Sequence, residues 1–279
     1  METRELRYFV AVAEELHFGR AAQRLGMAQP PLSRAVAQLE RRLGTPLLTR
    51  SSRSVALTPA GEVLLAEGRA ALAAVEAAER RTRRAGAADR PVLVLAVKAG
   101  ASAELLAKLL DAYAAELGAV PVEVLLCAVG EQGPVLRDGR ADVALLHLPF
   151  DTTAGLDAEE LGTEGQVAVL PAGHALTGRT AVSLADLDDL PGLPAPRWTG
   201  PGGRPDGPGP EVRDHAQLLQ LVQLGRTYTV LPESVRPQLP EGVVTVPVRD
   251  AARVTTVIAW PPHSRSRPVA DLVGTALRL

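Results

Sequence analysis

Leu6, Phe9, Val10, Ala13 and Leu16 recur at helical spacing and predict a first helix over residues 4–16. Phe18 to Leu25 gives a second, shorter helix, which Gly26 ends as a left-handed C-terminal residue. The stretch AAQRLGMAQPPLSRAVAQLERRLG (21–44) reads as helix almost throughout, yet carries Pro30 and Pro31. An interior proline costs a helix ~3 kcal/mol. The conflict disappears if both prolines occupy the first turn of a third helix, where the missing N–H has no partner in any case. Two helices joined by the four-residue turn Gly26-Met27-Ala28-Gln29 are helix-turn-helix punctuation.

The third helix divides into faces. Leu32, Val36, Leu39 and Leu43 share one side, while Ser33, Arg34, Ala37 and Arg41 fall on the others, flanked by Gln38. Glu40 sits to the side, towards the C-terminal end. The polar face therefore offers hydroxyl, amide and guanidinium groups without an acid. Arg can pair bidentately with guanine, Gln with adenine, and Ser with phosphate or base edges; the helix N-terminus suits a phosphate oxygen. On pattern alone the same face also fits an ordinary amphipathic surface helix.

Residues 47–57, LLTRSSRSVAL, have strand-like ends around a Ser-Ser-Arg-Ser turn, which predicts a β-hairpin wing with Arg50 at its base and Arg53 near its tip. Thr58-Pro59 supplies an N-cap and a first-turn proline for a helix running to about Ala87. Leu65, Leu72, Val75 and Glu79 lie at heptad-like steps in it, so pairing with a second copy is expected. The arginine run 80–84 near its end reads as a DNA contact or as a solvated face.

From Pro91 the pattern changes to strands alternating with helices, which implies a parallel sheet. Strands are expected at 92–97, 120–129, 141–148, 166–172, YTVLP (228–232), 243–248 and 254–260. Helices are expected at 103–117, in GEQGPVLRDG, around 184–190, at 213–224 and at 268–278.

Charge sharpens this division. Residues 1–90 hold 15 arginines against 10 acids, and 91–279 hold 15 bases against 22 acids, so a formal charge of −2 hides a basic head on an acidic body. Between 18 and 58 there are seven arginines and one acid, Glu40. Such a head suits a polyanion; charge alone fits a solvated helix face equally well. Only Lys98 and Lys108 are lysines, a bias that a GC-rich genome explains better than a demand for guanidinium groups. The apolar runs fall far short of the ~20 residues a membrane span needs. The N-terminus lacks a signal-peptide pattern, and the lone Cys127 cannot form an internal disulfide. A soluble, cytoplasmic protein without a membrane partner is expected.

Residues 1–62 resemble the winged helix-turn-helix of LysR-type transcriptional regulators. The match runs without gaps through LRYFVAVAEE, HFGRAA, AQPPLSR, LE, LL-x-R-x-SR and LTPAG. AQPPLSR with LL-x-R-x-SR is most similar to the branch that responds to aromatic-degradation intermediates such as muconates. By position, the resemblance implies that Gln29, Pro30, Pro31, Ser33 and Arg34 approach the major groove. Arg53 would enter the minor groove or meet phosphates, and Arg50 would support the backbone contact. The rest is similar, more loosely, to the family's effector domain, through LRDGRADVALL (136–146), LPAGHAL (170–176), SLADL (183–187) and VLPESV.

The resemblance implies a multidomain α and α/β architecture: a winged head over 1–58, a linker helix over 59–88 and a two-lobed, periplasmic-binding-protein-like domain over 91–279. The first lobe would take 91–162 and 263–279, the second 163–262. Where related sequences place hydroxyl residues in the cleft, this chain has Gly100 and Val129, with Ser102 the nearest substitute. TGPGGRPDGPGP (199–210) replaces an additional second-lobe helix, so that lobe is expected to be shortened. Arg197, Trp198 and Thr199 should face the cleft, where an arginine can hold a carboxylate.

No catalytic constellation emerges. The Gly/Pro segment lacks the GK[ST] ending of a phosphate loop, and the five histidines are scattered without metal-ligand spacing. Neither an enzyme nor a cofactor is expected. The expected function is a sequence-specific DNA-binding regulator biased by a small effector between its lobes. It would bind promoter DNA as a homodimer or homotetramer and contact RNA polymerase. The alternatives are a family member with a degenerate pocket that acts without ligand, and a ligand-binding protein without DNA binding.

Overall fold

The computed structural model describes residues 1–50, 55–87, 91–188, 190–198, 207–262 and 264–279. The chain divides into two compact units, Met1–Thr82 and Arg83–Leu279.

The first unit begins with α1 (Thr3–Glu15), α2 (Phe18–Arg24) and α3 (Gln29–Leu43), each bounded by residues suited to the task. Glu2 and Glu5 form a reciprocal capping box at the start of α1. Nδ1 of His17 accepts the N–H groups of Gly19 and Arg20 at 3.0 and 3.2 Å, capping α2. Gly26 follows α2 at φ +66, and Gly44 closes α3 at φ +71. Pro30 and Pro31 lie in the first turn of α3, where their missing donors cost nothing. Phe9, Val12, Ala21, Leu32, Val36 and Leu39 are fully buried in one core. Leu43, expected on that buried side, is 43% exposed because the last turn of α3 runs past the core.

The wing strands β1 (Leu48–Arg50) and β2 (Val55–Leu57) pair antiparallel, Leu48 with Leu57 and Arg50 with Val55. Thr58 Oγ1 accepts the N–H of Gly61 at 3.0 Å and caps α4, Pro59–Ala87. Leu65 and Leu72 of the heptad-like series pack into the head's own core, leaving Val63 and Val75 as exposed apolar positions. Beyond Arg83, in the second unit, Arg84 pairs with Asp142 and donates to the carbonyl of Arg140 at 3.2 Å. One member of the 80–84 run is thus a structural tie rather than a solvated charge.

Among the described residues, the second unit contains two larger sheets and a short parallel pair, Arg197–Trp198 with Glu211–Val212. The first lobe is built from β3 (Leu93–Lys98), α5 (Ala103–Ala114), β4 (Val122–Cys127), α6 (Gln132–Arg137), β5 (Val143–Leu148) and β6 (Asp157–Glu164). The second is built from β7 (Gln166–Pro171), α7 (Leu184–Asp188), β8 (Arg197–Trp198), β9 (Glu211–Val212), α8 (His215–Gln223), β10 (Thr229–Pro232) and β11 (Val243–Val248). The chain then returns through β12 (Val254–Trp260) and α9 (Arg267–Ala276).

The five-stranded sheet runs β4-β3-β5-β12-β6, and the three-stranded sheet runs β10-β7-β11. Alternate residues of β3 face opposite layers: Leu93, Leu95 and Val97 meet α5 and α9, while Val94 and Ala96 meet α6. Burial on both faces explains the continuous apolar run.

Two expectations need correction here. The five-stranded sheet is mixed, with β3, β4 and β5 parallel but β12 antiparallel to both β5 and β6, and the three-stranded sheet is antiparallel, β7 opposing both neighbours. The first lobe also regains the chain at β12, so residues 254–260 belong to it and the second lobe ends before 262. β6 went unexpected because DAEELGTE turns only Leu161 towards the core and is otherwise mostly exposed, as an edge strand can be. Of the segment 199–210, residues 207–210 are described and hold no helix; Thr199 lies outside the described residues.

Candidate functional site

In the head, Gln29, Pro30, Arg34, Gln38 and Arg41 are exposed, and Pro31 and Ser33 are half-exposed. They cover the side of α3 opposite Leu32, Val36 and Leu39, as helical geometry requires. Arg34, Gln38 and Arg41 make no hydrogen bond or ion pair with any described residue. The neighbouring Arg42 is different: it forms an ion pair at 2.6 Å with Glu5, whose carboxyl is held below its usual range chiefly by that contact. Glu40 faces away, its Oε1 accepting the N–H groups of Leu47 and Leu48 at 2.9 and 3.1 Å. The face is acid-free because the one acid of α3 is used internally. Arg53 and the side chain of Arg50 lie outside the described residues.

The second unit holds a cavity of about 440 Å³ between its lobes, within the range of small-ligand sites. Gly100, Ser102, Val129 and Trp198, all expected at a cleft, line it. Arg197 does not. Successive strand residues point to opposite sides, and Trp198 takes the inward position on β8. Arg197 is left half-exposed beside Glu211, 3.7 Å away. The expected carboxylate clamp therefore falls outside the cavity.

Among the described residues, the lysine or arginine on the cavity wall is Lys98, at the C-terminal end of β3. It makes no hydrogen bond or ion pair with a described residue. Burial pushes its pKa down, and the nearby charge of Asp151 opposes this. His147, also on the wall, is 2% exposed and shares a 2.8 Å hydrogen bond between its Nε2 and Ser102 Oγ. Its backbone N–H donates to Asp151 Oδ2 at 2.8 Å. Burial raises the Asp151 carboxyl, but the contacts with His147, aided by the charge of Lys98, outweigh this and hold it below its ordinary value.

Ser102, His147 and Asp151 thus lie in a row, yet Asp151 Oδ2 is 3.8 Å from His147 Nδ1. That is too long to orient the imidazole as a base. From the second lobe, His215 opens α8 and lies against Trp198, with ring centroids 6.0 Å apart. Burial first, then the charge of Lys98, lowers its pKa to about 4, with Asp214 opposing.

Sequence reasoning missed Lys98, His147 and His215 in the cleft. A signal for the first was present: with 28 of 30 basic residues arginine, a lysine ending the first strand of the α/β part stands out.

A winged helix-turn-helix whose exposed α3 face is free of acids, on a chain with a two-lobed cleft domain, defines the class of ligand-responsive transcriptional regulators. Residues 3–62 match the bacterial regulatory helix-turn-helix protein family of LysR type, and residues 86–278 match the LysR substrate binding domain. The HTH-type transcriptional regulator AlsR of Bacillus subtilis is 34% identical, covering 85% of this chain and 82% of its own. BudR of Raoultella terrigena, another such regulator, is 32% identical over 96% of this chain and 98% of its own. The crystal structure of full-length BenM is similar with a TM-score of 0.55 and 27% identity, covering all of this chain and 96% of BenM. The chain belongs to the LysR family: it is a DNA-binding transcriptional regulator with an effector-binding domain. Among its described residues no helix is long and apolar enough to cross a membrane.

Proposed function

We propose that α3 reads operator DNA in the major groove through Gln29, Pro30, Pro31, Ser33, Arg34 and Gln38. The wing arginines Arg50 and Arg53 meet phosphates or the minor groove. The observation that carries this reading is the acid-free, exposed face of α3, whose Arg34, Gln38 and Arg41 have no partner among the described residues. No described residue of the head uses these groups, and each pairs well with base edges or phosphate.

In this reading residues 1–58 bind DNA, 59–88 pair two copies, and 91–279 sense the effector. The length of α4 and the exposed Val63 and Val75 support a homodimer, with tetramers formed through the α/β domains. An effector in the cleft favours one arrangement of the DNA-binding pairs and so changes DNA bending and contact with RNA polymerase. The protein works in the cytoplasm. The likeness to BenM and the AQPPLSR pattern support an organic acid of the aromatic-degradation type as effector, with Lys98 rather than Arg197 as the cleft cation.

The test is Arg34→Ala on a selected operator. Affinity should fall by about 1–3 kcal/mol, with discrimination relaxed at one base position. Unchanged affinity and preference would remove α3 from the role of reader.

A further inference from the structure

The two lysines of this arginine-rich chain have different surroundings. Lys108 lies on the surface, paired with Glu104 at 2.7 Å one helical turn away. Lys98 lies in the cavity wall with no described partner. A lysine is a compact point charge, suited to an anion approaching from one direction, where arginine would present a broad fork.

Opposite Lys98 stands His215, brought there by a glycine. Gly100 sits at φ +77, and a Cβ at that position would lie 3.2 Å from Cβ of His215. The turn after β3 in one lobe and the first residue of α8 in the other therefore meet at the place where a side chain is missing. The family-like hydroxyl position is empty, and an imidazole from the other lobe covers it. Much of the remaining wall is apolar, including Val129, Phe150, Leu187 and Trp198.

Resting on the effector-cleft reading above, we propose that Lys98 and His215 are the specificity-determining pair of this cleft. They grip, from opposite lobes, the carboxylate of a monoanionic organic acid whose apolar body lies along Trp198 and Leu187. A partly buried ammonium without a partner is costly, and a carboxylate is its natural complement. Two of the nearby carboxylates are otherwise engaged. Asp151 accepts the His147 N–H, and Asp214 accepts the N–H of Gln217 at 2.8 Å as the cap of α8. A second charge on the ligand would meet the apolar wall and the carboxylate of Asp188, which disfavours diacids.

The grip also couples binding to protons. Among the described residues, the charged and titratable groups around His215 are Lys98 on β3, His147 on β5 and the preceding Asp214. With burial and Lys98 holding it near 4, the imidazole is neutral in the empty cleft. A bound carboxylate offsets the charge of Lys98 and favours imidazolium. The His215 pKa therefore rises in the complex, protons are taken up on binding, and affinity falls as pH rises through that raised value.

The experiment is isothermal titration of the full-length protein with acetate, butanoate, benzoate, hydrocinnamate and cis,cis-muconate. Each monoacid is run against its primary amide, near pH 6, in two buffers of different ionisation heat. At least one monoacid should bind about ten- to a hundredfold more tightly than its amide, as loss of a charged hydrogen bond implies, and more tightly than muconate. Lys98→Met should erase the preference for acid over amide. His215→Gln should keep that preference and lose the proton uptake. No monoacid favoured over its amide, muconate favoured over all of them, or a preference that survives Lys98→Met would overturn the proposal. Operator binding without acid is the control. If wild-type protein binds no operator, the regulator reading fails; if it binds operator but shows no acid preference, only the proposed grip fails.

Discussion

Glu40 is the one acid between residues 18 and 58, and its replacement tests how α3 is held to the wing. Oε1 accepts two backbone N–H groups, from Leu47 at 2.9 Å and Leu48 at 3.1 Å. Both leucines are buried, and they lead into β1. One carboxylate thereby fixes where the wing departs from α3. Glu40→Ala removes both bonds. A hydrogen bond to a charged group contributes about 1.5–3 kcal/mol, and an unpartnered buried donor costs about 1–3 kcal/mol. These are two descriptions of one loss and are not added together. Two donors give about 2–6 kcal/mol; partial access of water to Glu40 brings the expectation to about 2–3 kcal/mol. Glu40→Gln keeps a carbonyl oxygen in place and should cost about 1 kcal/mol. Because two units make whole-chain unfolding a poor two-state system, the assay is native-state hydrogen exchange on the full-length protein, read at amides of α1 to α3 and β1. Protection there should drop by those amounts, with the amides of Leu47 and Leu48 affected most. A Glu40→Ala protein within about 0.5 kcal/mol of wild type, or a Gln variant as weak as Ala, would refute the reasoning.

Three further outcomes are expected. Gly61→Ala would bring a Cβ to 2.1 Å from the carbonyl oxygen of Leu47 and 3.0 Å from a methyl of Leu57. The ~1 kcal/mol that alanine gains in a helix is outweighed, and the head should lose about 2 kcal/mol net in the same exchange assay; a neutral or more stable protein would contradict the packing described. Gly100→Ser combines a left-handed backbone with the 3.2 Å approach to His215, so a loss of about 1–3 kcal/mol and a displaced His215 resonance should appear together; an unmoved resonance counts against the contact. Lys98→Met removes a positive charge beside His215, so the imidazole pKa should rise above about 4 while staying below 6.5, since burial, the largest cause, remains. Titration of the His215 ring proton by NMR measures this, and an unchanged or lower value would show that the two groups are not coupled.

The head was legible because its signals are local. Period-3.6 spacing, Gly26, the paired prolines and Thr58 each act within a turn or two, and each lies where its chemistry demands. The heptad-like steps of α4 were less decisive, since Leu65 and Leu72 serve the head's own core. The α/β part hid what depends on long-range pairing. β6 has no buried face to leave a pattern, and no local residue states that β12 rejoins the first sheet. Arg197 and Trp198 illustrate the limit well. The sequence placed both at the cleft, but a strand can turn only one of them inward. His215 carried the ordinary marks of a helix start, and only its approach to Gly100, 115 residues away along the chain, gives it a place in the cleft.

The central claim is specific reading of DNA by α3, and selection from a random duplex pool tests it most directly. The full-length protein is used to enrich sequences, and the enriched site is then titrated by fluorescence anisotropy against random competitor over a range of salt. The account predicts convergence on one site, binding that survives competitor, a steep salt slope from phosphate contacts, and loss of preference in Arg34→Ala. A pool that never converges, with binding no better than competitor at every salt concentration, would contradict it.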